Sequence, residues 1–349
     1  GTLPDGSLAH RTTSTTTANG VLRSTEFDLD GTGVADRHET ETRVVGPDGS
    51  VTETLLQYEG ESDILTRRQV TTRSADGASV TVQYDETGSN VRFDRVETRI
   101  TRLNGSQEVT VENRNADNTL HDKYITATSA DGLSKTVQTY LTDDPVVNQT
   151  RLESTSVSGN GTRTETITNY AGAGTNPANQ VSSVVTTVTK DGSLKTVAAD
   201  QDGNGSVDQM TSSQILRNSQ GGTSTTISIT NADSTLRSRT VTDLTADGHT
   251  KTVRLDLDGD GVDDLITTEA TTFSNGGTTQ TVTSKSENGT LLSSSAHTYS
   301  ADGKTRTVTV DSNGDGHVDR TQSVAVVDGQ SIDTSSVFSP NGTKLLTRS

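Results

Sequence analysis

The sequence predicts an all-β tandem-repeat array of antiparallel hairpins forming an elongated ribbon, spiral or solenoid. Three observations predict it. Turn-forming pairs such as Asp-Gly and Asn-Gly recur at even spacing along the 349 residues. The runs between them are rich in Thr, Val and Ile, which suit a pleated surface. Hydrophobic residues are only 27% and aromatics 3%, against ~45–50% apolar, Gly included, in an ordinary domain. One thick core is therefore not available, and a thin repetitive structure is.

Four markers set the repeat. The first reads Asp256-Leu-Asp258-Gly-Asp260-Gly261-Val-Asp-Asp264, and related loops begin at Asp28, Asp85, about Thr142, Asp200 and Asp311. Their spacings of 57, 57, 58, 56 and 55 residues give six repeats of 55–58 residues across residues 1–349, taken as one array. The second marker falls about ten residues before most loops. Ser74-Ala-Asp-Gly77, Ser129-Ala-Asp-Gly132, Lys190-Asp-Gly192, Thr245-Ala-Asp-Gly248 and Ser300-Ala-Asp-Gly303 carry it. The third follows the loop: Pro47-Asp-Gly49, Asn104-Gly105, Asn160-Gly161, Gly221-Gly222, Asn275-Gly276 and Asp328-Gly329. The fourth precedes a Leu or Ile, as at Ser62-Asp-Ile64, Ala116–Leu120, Ala232–Leu236 and Asn288–Leu291.

Such dipeptides between alternating runs signal hairpins, because the turns need positive φ. Each repeat thus holds four turns and four strands, and divides into two sub-units of about 28 residues. Runs such as Glu108–Glu112, Thr226–Thr230 and Gln280–Thr283 are the strands. Val253, Leu255 and Leu257, with Val82, Tyr84, Val137, Thr139, Val197 and Ala199 in other copies, predict one thin apolar stripe along the array. The pattern is weakest near 139–180, around Thr142–Pro145 and Ala171–Pro177. Leu3–Leu8 matches Ser339–Leu345, so the chain reads as a segment of a longer array. Two alternatives remain: a two-sheet solenoid with about 28 residues per coil, and a six-bladed β-propeller, whose blades have four strands.

The loops carry the chemistry. A calcium ion takes six to eight oxygens, and the EF-hand loop supplies them from alternate positions around an obligatory Gly. Acids or other oxygen donors at positions 1, 3, 5 and 9 give four candidate sites. They are Asp28, Asp30, Thr32 and Asp36; Asp200, Asp202, Asn204 and Asp208; Asp256, Asp258, Asp260 and Asp264; and Asp311, Asn313, Asp315 and Asp319. Gly33, Gly205, Gly261 and Gly316 stand at position 6. The loop at Asp85 has lost the position-9 acid and this Gly, and the loop near Asp143 and Asp144 lacks the pattern, so both are expected to be metal-free turns. At position 12 only Glu39 matches the bidentate Glu of the EF-hand, since Thr211, Thr267 and Gln322 stand in the others. Weak sites of ~10⁻⁴–10⁻³ M are expected, filled outside a cell. Four divalent ions would bring the formal charge from −17 to −9.

These loops resemble those of thrombospondin type 3 repeats, dockerins and FG-GAP propeller blades, with Asp258–Leu265 nearest the last. The whole pattern resembles the Thr/Asp-rich tandem-repeat arrays of large secreted bacterial surface proteins, and more loosely Tyr-Asp (RHS-type) repeats. The glycine-rich nonapeptide of the RTX β-roll is absent from the sequence. The resemblance implies an extracellular or cell-surface structural or adhesive protein.

Composition narrows the function further. A charge of −17 disfavours nucleic acid and anionic membranes as partners. No apolar run reaches the ~18 residues of a membrane helix. Without Cys there are no disulfides, thiolate metal sites or Cys nucleophiles. The six His residues are scattered, and no Gly-x-Ser-x-Gly or phosphate-binding motif occurs, so no enzyme is expected. Asn104-Gly-Ser106 and Asn160-Gly-Thr162 read as hairpin turns rather than glycosylation sites. The expected function is a calcium-stabilised structural or adhesive segment, with calcium, a second copy of itself, or surface glycans and proteins as partners. The alternative is a propeller-like module binding a glycan or protein; a third is a polysaccharide lyase on a β-solenoid.

Overall fold

Every described ladder joins a strand antiparallel to its neighbour in sequence, as the evenly spaced turns require. The computed structural model describes residues 1–2, 7–60, 63–89, 91–141 and 146–349. The expected turn at Leu3–Gly6, Ser62 of the fourth marker, Asn90 and the loop at Thr142–Pro145 lie outside them. Among the described residues there are 25 strands and a single short 3₁₀ turn, Pro177–Asn179. Two compact units divide the chain: one of residues 1–156, 165–183 and 202–204, and one of residues 157–164, 184–201 and 205–349.

In the first unit the ladder is continuous from β1 (Arg11–Thr16) through β2 (Leu22–Asp28), β5 (Ile64–Arg73), β6 (Ser79–Asp85) and β10 (Ser134–Tyr140) to β11 (Gln149–Val157). In the second it runs unbroken from β14 (Leu194–Asp200) through β17 (Leu236–Leu244), β18 (Thr250–Asp256), β19 (Leu265–Ser274), β21 (Leu291–Tyr299) and β22 (Thr305–Asp311) to β25 (Lys344–Arg348). This is a ribbon or solenoid of hairpins, not a closed barrel. A propeller blade would end after four strands, and within each unit pairing crosses every such boundary.

Each repeat uses four strands. One runs into the acidic loop, the next away from it, and the fourth-marker turn returns the chain to the same edge. Acidic loops and fourth-marker turns therefore alternate along one sheet edge, and the other two turn types line the opposite edge. A β-bulge recurs at the fourth-marker hairpin, as at Gln57/Tyr58, Asn113/Arg114, Ile229/Thr230 and Ser284/Lys285.

Within each unit no second layer of described residues covers the sheet. Among the described residues only Val147 is a buried apolar side chain. The expected apolar stripe is not formed: Val253 and Leu255 are half-buried, but so are Thr252 and Arg254 on the other face, and Leu257 lies beyond β18 at 64% exposure. A single layer has no inside, so both faces rely on neighbouring strands. Cross-strand hydroxyl pairs such as Thr52–Thr72, Thr81–Thr98 and Thr252–Thr268, and ion pairs such as Arg43–Glu53 and Lys251–Glu269, cover them. Such pairs contribute ~0.2–1 kcal/mol each. The abundance of Thr and of charge follows from that.

The second-marker turns at that opposite edge are built alike. In Ser74–Ser79 the Asp76 carboxylate accepts the Ser74 hydroxyl at 2.6 Å and the Ala78 N–H at 3.0 Å, while Ser79 N–H donates to Ser74 Oγ at 2.9 Å. Asp131, Asp191, Asp247 and Asp302 repeat the arrangement. These hydroxyl donors, with the backbone N–H, hold the carboxyls below their ordinary range, at about 2 for Asp191. A carboxyl with a depressed folded pKa stabilises the fold above its unfolded pKa, near 3.8, and stops doing so as pH falls through the folded value. Unfolding midpoints followed by circular dichroism are thus expected to be flat from neutral pH to about 4 and to fall between about 4 and 2.

Candidate metal centre

The acidic loops are shaped by the carboxylate that ends the strand before them. Asp28, Asp85, Asp200, Asp256 and Asp311 are each the last residue of a strand and are exposed by 4% or less. A carboxylate so buried must be compensated. In the loop at 256, Asp256 Oδ1 accepts the Gly259 N–H at 2.7 Å and Oδ2 the Gly261 N–H at 3.1 Å. Asp28 takes Gly31 and Gly33, and Asp311 takes Gly314 and Gly316, in the same way. Asp200 Oδ2 accepts the Gly205 N–H at 2.9 Å.

Positions 3 and 5 fold the loop over this anchor. Asp30, Asp202, Asp258 and Asn313 each accept the N–H two residues on. Thr32, Asp260 and Asp315 do so at position 5. The side-chain amide of Asn204 donates to Asp202. The N–H and hydroxyl of Thr32 lower the pKa of Asp30. Position 9 closes the loop: Asp36, Asp208, Asp264 and Asp319 accept the N–H of Leu29, Gln201, Leu257 and Ser312 at 2.6–2.7 Å. The Ser312 hydroxyl and N–H lower the pKa of Asp319.

Three of the four expected sites bring three carboxylates together. Asp28, Asp30 and Asp36 have oxygens within 4.8 Å of one another, as do Asp200, Asp202 and Asp208, and Asp256, Asp258 and Asp260. Asp264 is not in its group. The loop at 311 gathers no such trio, because Asn313 stands at position 3 and its amide donates to Asp315 at 3.2 Å. Glu39 is in no group either: it sits in the strand after its loop, accepting Gln57 Nε2 and pairing with Arg37. An all-oxygen set of this kind suits a hard divalent cation, and these groups are able to hold a metal ion.

Two loops differ from expectation. The loop at 85 keeps its closing acid, displaced by one residue: Asp94 Oδ2 accepts the Glu86 N–H at 2.9 Å. The remaining loop begins at Tyr140, the end of β10, rather than about Thr142. Asn148, eight residues on, accepts the Leu141 N–H at 2.7 Å in the role of the position-9 acid.

A residue class outside the acidic motif also belongs to these loops. Arg11, Arg68 and Arg239 face Asp28, Asp85 and Asp256 across the ladder. Arg239 Nη2 lies 3.8 Å from Asp256 Oδ2, 3.1 Å from the Gly261 carbonyl and 3.2 Å from Asp263. Arg68 lies 3.8 Å from Asp85, reaches the Arg92 carbonyl and stacks 4.2 Å from the Phe93 ring centre. Arg11 reaches the Gly33 carbonyl at 3.2 Å. The signal in the sequence is a constant offset, an Arg 17 residues before the Asp.

No protein-family model matches the chain, and no curated protein matches it.

Proposed function

We propose that this chain is an extracellular, calcium-stabilised structural or adhesive repeat segment. The convergence of three carboxylates in each of the loops at Asp28, Asp200 and Asp256 carries this reading. Calcium is the favoured ion because the donors are all oxygen and the loops hold no imidazole or thiolate ligand. Few charged ligands per loop imply weak sites, of order ~10⁻⁴–10⁻³ M, which extracellular calcium fills and cytosolic calcium does not. With one buried apolar side chain among the described residues, cross-linking loop to strand end is a direct way to stiffen the sheet. The exposed faces, rich in Thr and charge, suit contact with glycans, proteins or another copy.

Calorimetric titration of the chelator-treated chain with calcium tests the reading, together with its unfolding midpoint. Two to four ions are expected to bind, with a midpoint that starts to rise near ~10⁻⁴–10⁻³ M calcium and goes on rising with the logarithm of calcium above it. Neither binding nor a rise at several millimolar calcium would remove calcium from the account.

A further inference from the structure

We propose that the arginine facing the buried aspartate is a built-in counter-cation, which keeps its loop closed without an ion and competes with an ion for the same carboxylate. The second half rests on the calcium reading above; the first does not. Asp85 and Asp256 are fully buried, so backbone N–H donors alone leave a full negative charge in a dry site. The guanidinium of Arg239 answers it and ties the strand to the loop through the Gly261 carbonyl and Asp263. Arg254, 3.5 Å from Asp263, holds that carboxylate from the other side.

The loop at 85 shows the arrangement without a carboxylate trio among its described residues. Thr87 and Ser89 stand at positions 3 and 5 and donate to Asp85 themselves. The described part of the loop is closed all the same, with Arg68 against Asp85 and over Phe93. The loop at 311 is the opposite case: Ser294 faces Asp311, and no guanidinium is supplied. The loops at 85 and 256 are therefore clasped, with the guanidinium against the buried aspartate; at 28 Arg11 reaches only the Gly33 carbonyl, and the loop at 311 is unclasped. A guanidinium and a divalent ion on one carboxylate repel each other, so the clasp at 256 weakens ion binding there while making the loop independent of it.

Hydrogen exchange of the full chain, read over segments 256–264, 85–94 and 311–319, tests this with Arg239→Gln. In chelator the 256–264 segment is expected to exchange roughly tenfold or more faster than in the parent, the scale of losing a hydrogen bond to a charged group. The 85–94 and 311–319 segments should be unchanged. Less calcium should then be needed to slow 256–264 than in the parent. Unchanged exchange of 256–264 in chelator would overturn the clasp. Faster exchange with no calcium protection in either protein would leave the clasp standing and remove the calcium reading alone. Ser294→Arg supplies the reverse test should Arg239→Gln unfold: slower exchange at 311–319 in chelator is expected, and no slowing overturns the proposal.

Discussion

Gly259→Ala is expected to be among the most damaging single substitutions in the chain, at about 2–5 kcal/mol. Two costs add. Gly259 has φ +78°, where an L side chain is strained by ~1–2 kcal/mol. A Cβ there would also lie 2.1 Å from the carbonyl oxygen of Leu236, the first residue of β17. That oxygen is backbone and cannot swing aside. A Cβ on Gly31, Gly88, Gly203 or Gly314 would likewise lie 1.9–2.3 Å from the carbonyl oxygen of Leu8, Leu65, Gln180 or Leu291. In these five loops the glycine at position 4 is thus the place where the loop rests on the neighbouring backbone. Gly261 is the control. Its φ is +93° but nothing lies within 4 Å of its Cβ position, so Gly261→Ala should cost only the strain, about 1–2 kcal/mol. Urea unfolding of the two variants compares them. Equal losses would show that the contact with Leu236 carries no weight.

The features readable in the sequence are those set by neighbouring residues. Gly77, Gly132, Gly192, Gly248 and Gly303 all have positive φ, and the Asp before each makes its bonds within a few residues, so the hairpins and their period were plain. The position-1, 3 and 5 donors were readable for the same reason. The fate of position 9 was less so, since Asp94 and Asn148 keep the closing bond by strand register and not by motif. Tyr140 marks a loop start with no acid at all, and only the ladder reveals it. The arginine clasp pairs residues 17 apart through strand register, beyond the reach of a loop motif. The stripe through Val253 and Leu255 failed because alternation predicts a buried face only where something covers it.

Substituting Asp256 and Asp258 separates the structural duty of these loops from ion binding. Asp256 is fully buried, with two N–H donors and Arg239 directed at it. Asp256→Ala strands all three, and is expected to cost about 2–5 kcal/mol whether or not calcium is present. Asp258 is exposed and its one loop bond is to the Asp260 N–H. In chelator Asp258→Ala should cost under about 1 kcal/mol, since the freed N–H meets water. With calcium it should forfeit whatever gain the ion gives the loop at 256, because one of three converging carboxylates is gone. Urea midpoints of both variants, in chelator and in millimolar calcium, distinguish the roles. An Asp258→Ala loss that is the same in both conditions would mean that the carboxylate serves the turn and not an ion. A loss confined to calcium would place the ion among Asp256, Asp258 and Asp260. Asp256 would then serve twice, as the strut that shapes the loop in every copy where it stands and as a ligand where its neighbours are acidic. That double use explains why the loop at 85 keeps its position-1 aspartate after losing the acids at 3 and 5: the strut is needed whether or not an ion is bound.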